Sequence, residues 1–156
     1  MRFRGRRARV ASVAAATVLA LGVAGCGGSD DEEGTQEGPV TITTDVDFTS
    51  LPYEGTFEVS EGADELGCSS GTFVDEEAGD GVNKVSRCAD GERSGTFTIY
   101  FEPPADERVS SPWRVVAATG DFSGLEGEGD FIVEINQDEK SGVETFTGDI
   151  EYAASS

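Results

Sequence analysis

Histidine is absent from the 156 residues, and its absence excludes a large part of enzyme chemistry. Without imidazole there is no Ser-His or Cys-His nucleophile pair, and the commonest zinc ligand and neutral-pH acid/base are missing. Basic residues are scarce: 11 Lys and Arg face 31 Asp and Glu, a formal net charge of −20. Five of the eleven (Arg2, Arg4, Arg6, Arg7, Arg9) lie in the first ten positions, and no acid precedes Asp30. Loss of that start would leave six cations against 31 acids, a charge of about −25. A polyanion of this density repels phosphate backbones, which excludes nucleic acid as a partner. There is no C-x-x-C pair and no G-x-x-x-x-G-K loop, so redox cycling and phosphate cradling have no motif to rest on. With so many acids some carboxylate pair always stands at a glycosidase spacing, so that signal carries no weight. The residues thus offer no catalytic set and no cofactor motif, no metal ligands are assigned, and ligand-binding residues stay unassigned.

What is present first is an address. Residues 1–9 are arginine-rich, and residues 10–25 are apolar or small, the n-region and h-region of an export signal. Sixteen helical residues reach about 24 Å, short of the roughly 30 Å hydrocarbon core, so a permanent span is disfavoured. The segment Val23-Ala24-Gly25-Cys26 resembles the lipobox of bacterial lipoproteins. That resemblance implies cleavage after residue 25 and acylation of Cys26. The partner is then the lipid bilayer, with the protein on the extracytoplasmic face of a bacterial cell membrane. Two or three acyl chains, at about 0.8 kcal/mol per buried CH₂, hold durably where one would be marginal. Arg6-Arg7 leaves the export route open between Sec and twin-arginine. Residues 26–38 follow as an acidic linker with no apolar side chain after the cysteine, and such a segment has nothing to bury.

Residues 39–153 alternate apolar and polar side chains in short runs bounded by glycine or proline, the pattern of strands. Strands are expected near 40–47, 55–60, 68–74, 82–88, 95–102, 113–119, 129–136 and 144–152. Eight strands at this spacing predict an all-β domain, a barrel or sandwich. The alternation assigns an inner face to Phe57, Val59, Phe97, Ile99, Phe101, Trp113, Val115, Ala117, Phe131, Val133, Ile135, Phe146, Ile150 and Tyr152. Glu58, Thr96, Thr98, Arg114, Glu134, Thr147, Asp149 and Glu151 fall outside. G-T-F recurs at residues 55, 71 and 95, with G-D-F at 120 and 129, which reads as a strand-opening device. Trp113 is expected in the core, with Arg114 outside against nearby acids.

In an exported chain the two cysteines left after lipidation, Cys68 and Cys88, are expected to form a disulfide. A hairpin centred on Ala78 would set them opposite each other, with residues 75–81 as its loop. The acids of that loop have the composition of a weak Ca²⁺ site and equally that of a solvated turn; both readings stand open.

The run from Trp113 to Phe131, W-R-V-V-A-A-T-G-D-F-S-G-L-E-G-E-G-D-F, resembles a corner of the allene oxide cyclase and dirigent-like barrels. In those proteins a T-G-x-F turn is followed by a G-L-x-G-x-G segment that opens the next strand. The resemblance implies an eight-stranded antiparallel barrel, often oligomeric among plant members, with Phe122 and Leu125 plugging one end. It does not license an activity. Three functions therefore stay in play: a non-catalytic lipid-anchored barrel binding a small apolar ligand or a partner protein, a cyclase or isomerase acting inside the barrel, and an acidic structural envelope component.

Overall fold

The computed structural model describes residues 36–107 and 109–153. The expected signal segment, the lipobox and Cys26 lie outside them. Eight strands form: β1 (Glu37–Asp47), β2 (Glu54–Glu61), β3 (Cys68–Ala78), β4 (Gly81–Gly91), β5 (Thr96–Phe101), β6 (Ser111–Ala118), β7 (Leu125–Asn136) and β8 (Ser141–Tyr152). Each pairs antiparallel with its neighbour in sequence, and β8 pairs with β1, so the sheet closes into a barrel. Closure leaves no long edge to the sheet, which the aqueous exposure of a small β domain otherwise makes a liability. A short helix, α1 (Ala63–Leu66), and a 3₁₀ turn (Gly120–Phe122) cover the end where β1 starts and β8 finishes. That is the near end below. The β1–β2, β3–β4, β5–β6 and β7–β8 connections form the far end.

All eight expected strands are present, and most run longer than the alternation alone indicated. The hairpin is the clearest correction. β3 and β4 stay in register to Ala78↔Gly81, so the turn is only Gly79-Asp80 and residues 75–78 belong to the ladder. Val74 stands opposite Val85 and Cys88 opposite Gly71. The Cys68–Cys88 disulfide forms nonetheless, with Cα atoms 5.9 Å apart, because irregularities around Ser70 shift β3 against β4 just there.

Two inward assignments also change. In β6 the register slips between Thr98/Ile99 and their partners, leaving Val116 as an extra residue. A bulge inverts the alternation beyond it, so Ala117 faces out and Ala118 packs on the core. Ile135 is exposed because β7 projects past the packed interior at the far end.

The copies of G-T-F at 55 and 95 open β2 and β5 as expected, and the repeat has a further use. In the β2–β3 ladder Gly55 opposes Phe73 and Phe57 opposes Gly71. A Cβ on Gly71 would lie 2.6 Å from the Phe57 ring, and one on Gly55 would lie 2.8 Å from the Phe73 ring. Each glycine therefore makes room for the phenylalanine of the other copy, a reciprocal fit of small against large across one strand pair. The third copy opens β5, with Thr96 and Phe97 as its first residues, while the copy at 129 lies within β7 and the copy at 120 is the 3₁₀ turn.

Candidate functional site

The centre of the barrel is occupied by its own aromatic rings. Phe101, Phe131 and Phe146 stack with centroids 4.5 to 5.4 Å apart, and Trp113 meets Phe146 edge-on at 6.3 Å. Phe57, Phe97 and Phe122 continue the packing toward the near end, at 5.7 and 5.3 Å. Such offset and edge-to-face contacts add to the area term of burial. Trp113 is the core anchor expected, its indole N–H donating to the Thr147 carbonyl at 3.1 Å.

The near end is closed by Phe122 and Leu125, both buried. Tyr152, assigned to the inner face by the alternation, donates its hydroxyl to the Leu66 carbonyl at 2.9 Å, and burial raises its pKa. Its ring carries the Arg93 guanidinium 4.0 Å from the centroid. Arg93 also donates to the Asp121 carbonyl at 2.7 Å and to the Gln36 side chain. Asp121 in turn accepts the Ser94 hydroxyl and N–H, hydrogen bonds that lower its pKa. Arg93 therefore ties the chain entry, the 120s corner and the last strand together.

The far end holds what the sequence reading missed. Lys84 on β4 is 1% exposed, and its ammonium reaches Asp75 on β3 at 2.8 Å and Glu144 on β8 at 2.9 Å. The third side of the ammonium faces the Phe73 ring, 3.4 Å from its centroid, a cation–π contact. Glu144 also accepts the Thr44 hydroxyl at 2.6 Å. No buried side-chain nitrogen or oxygen among the described residues lacks a partner, which is what lets a buried ionic network persist. Burial pushes the Asp75 carboxyl up to about 6, and Glu144 adds to that, while Lys84 pulls it down. The β1–β2 connection folds over this end. The Phe48 ring fills the space over Gly142, and the Tyr53 carbonyl accepts the Asp75 N–H.

Asp75, expected in a solvated or Ca²⁺-binding loop, thus points inward at a lysine, and Glu76 and Glu77 sit in the ladder. Among the described residues no three potential metal ligands converge. Arg114, expected to neutralise outer acids, lies over the Tyr100 ring at 4.6 Å. Gly67-Cys68-Ser69-Ser70-Gly71 has the spacing of a G-x-S-x-G nucleophile elbow. Its central Ser69 donates to the Asp90 carbonyl at 2.9 Å beside the disulfide, and the chain has no histidine to serve as its base.

On the outer wall, the β6–β7 ladder is the shortest of the eight, covering only Ser111↔Phe131 to Arg114↔Glu128. Beyond it the two strands part, and a groove of about 1050 Å³ opens between residues 115–118 and 124–128. The bulge at Val116 on one side and the left-handed Gly124 (φ 86°) on the other begin this divergence. Compared with protein-family models, with curated proteins and with solved structures, the chain finds no match.

Proposed function

We propose that the protein is an exported lipoprotein, acylated at Cys26 and held at the extracytoplasmic face of a bacterial membrane, whose barrel is a non-catalytic module that engages a partner protein through its outer surface. The observation that carries this reading is the filled interior. Seven aromatic rings take the space that a small apolar ligand or a cyclase substrate would need, since binding pockets of that kind enclose roughly 300 to 1,000 Å³. The polar groups inside favour the same reading. Each N–H face of Lys84 is already taken by Asp75, Glu144 or the Phe73 ring, so none is free to polarise a substrate or to move a proton. Acids concentrated outside keep the module soluble close to the bilayer.

Two measurements on the native chain test this. Metabolic labelling with an alkyne fatty acid should mark the protein and lose the label on Cys26→Ser, with release from the membrane fraction. Titration with a fluorescent fatty-acid analogue should give no saturable binding below the unfolding transition. Stoichiometric uptake by the folded barrel would overturn the non-ligand reading, and persistent membrane association of the unlabelled Cys26→Ser variant would overturn the anchor.

A further inference from the structure

We propose that the β6–β7 seam is a docking groove for an extended basic peptide of a partner protein; the inference rests on the surface-binding reading above and gives it a place and a chemistry. In an antiparallel ladder the N–H and C=O groups of alternate residues point to alternate sides. The β5 side of β6 is paired to Ala118, but its β7 side is paired only as far as Arg114. On β7, residues 125–127 pair with β8 alone. The seam thus presents strand-edge backbone on both walls, the feature that β-strand addition uses for affinity, with side-chain pockets adding specificity. Its apolar part is Val116, 44% exposed, with Ala117 beside it, while the Val115 side chain reaches toward Gly127 on the opposite wall.

Charge selects the occupant. The groove is rimmed by Glu37, Glu126, Glu128, Asp149 and Glu151, while Arg114, the one cation that lines it among the described residues, is engaged over Tyr100. The chain's own segment 27–35 carries four acids and no apolar residue, so it would be repelled and has nothing to place on Val116. A second copy would bring the same carboxylates. An extended segment alternating apolar and basic residues meets both demands, because successive side chains of a strand face opposite ways.

Nitrogen-15 NMR of the full chain, titrated with an octapeptide of alternating valine and lysine, tests the assignment. Amide shifts should concentrate at residues 114–118 and 125–128, and an octapeptide of alternating valine and glutamate should produce none. A lysine at Val116, an exposed site that tolerates it, should weaken binding by about tenfold through like-charge repulsion. Glu126→Lys should act in the same direction. Glu54→Lys, an equal charge change at the far end, should leave affinity within about twofold. Shifts spread evenly over the acidic surface, or equal weakening by Glu126→Lys and Glu54→Lys, would sink the seam as a site. A focus on another face of the barrel would do so too, yet would leave the surface-binding reading intact. Uptake of the fluorescent fatty acid into the barrel is the separate result that removes that broader reading.

Discussion

Lys84 and Glu144 meet at 2.9 Å across the inside of the barrel, from strands β4 and β8 that stand opposite each other in the closed order of eight. No backbone ladder joins these strands, so the ion pair is a tie across the lumen that the sheet itself does not make. Asp75 and Thr44 complete it from β3 and β1.

Removing the cation should leave two buried carboxylates facing each other. Lys84→Met is expected to lower the unfolding free energy by about 3 to 5 kcal/mol, the usual cost of orphaning a buried charge. Combining it with Asp75→Asn and Glu144→Gln should restore part of the loss, since the orphaned charges are then gone. Urea unfolding of the single and triple variants checks the order of stabilities.

The same cluster sets a pH dependence. Asp75 has its carboxyl raised from 3.8 to about 6 in the fold. Between these values the folded state keeps a proton that the unfolded chain has lost. Its contribution to stability is therefore greatest at low pH and declines as pH rises through about 4 to 6. The melting temperature of Asp75→Asn should vary less across that window than that of the native chain. An identical slope for the two proteins would show that Asp75 titrates as an ordinary surface acid.

Gly71 and Gly79 separate crowding from backbone strain. An alanine at Gly71 would put its Cβ 2.1 Å from the Arg87 carbonyl oxygen and against the Phe57 ring, whereas nothing lies within 4 Å of a Cβ at Gly79, whose φ is 67°. Gly71→Ala should cost about 1 to 3 kcal/mol by overpacking. Gly79→Ala should cost about 1 to 2 kcal/mol from its left-handed backbone alone. Thermal unfolding should rank Gly71→Ala as the less stable, and only Gly71→Ala should move the Phe57 and Phe73 ring resonances.

The disulfide closes a separation of 20 residues. Replacing Cys68 and Cys88 together by serine should lower stability by about 3 kcal/mol on the chain-entropy argument. Cys68 is the buried partner and packs with Leu66 in the core, so a Cys68→Ala, Cys88→Ser pair should be the milder double variant. Denaturant midpoints under non-reducing conditions compare them with the native chain.

The cluster at the far end was within reach of the sequence. Glu144 shares the alternation of Phe146, Ile150 and Tyr152, and Asp75 shares that of Gly71 and Phe73. Lys84 likewise stands two and four places before Ser86 and Cys88. What hid them was chemistry: a charged side chain in an alternating run is ordinarily assigned to solvent, because burying it alone is prohibitive. Three such residues become tolerable inside only when they meet, and no single strand reveals that. Ala117 failed for another reason. One inserted residue at Val116 inverts the alternation after it, and a bulge leaves no mark in the order of apolar residues.

The sequence by itself determined the eight strands, the aromatic inner face and the cysteine pairing, because each follows from local alternation, turn residues or the count of partners. Only the tertiary structure decided that β1 closes on β8, that β6 and β7 part beyond Arg114, and that Lys84 finds two carboxylates from other strands. Those are relations between residues far apart in the chain, fixed by register and barrel closure. A single strand carries its own periodicity but no record of what stands across the lumen from it.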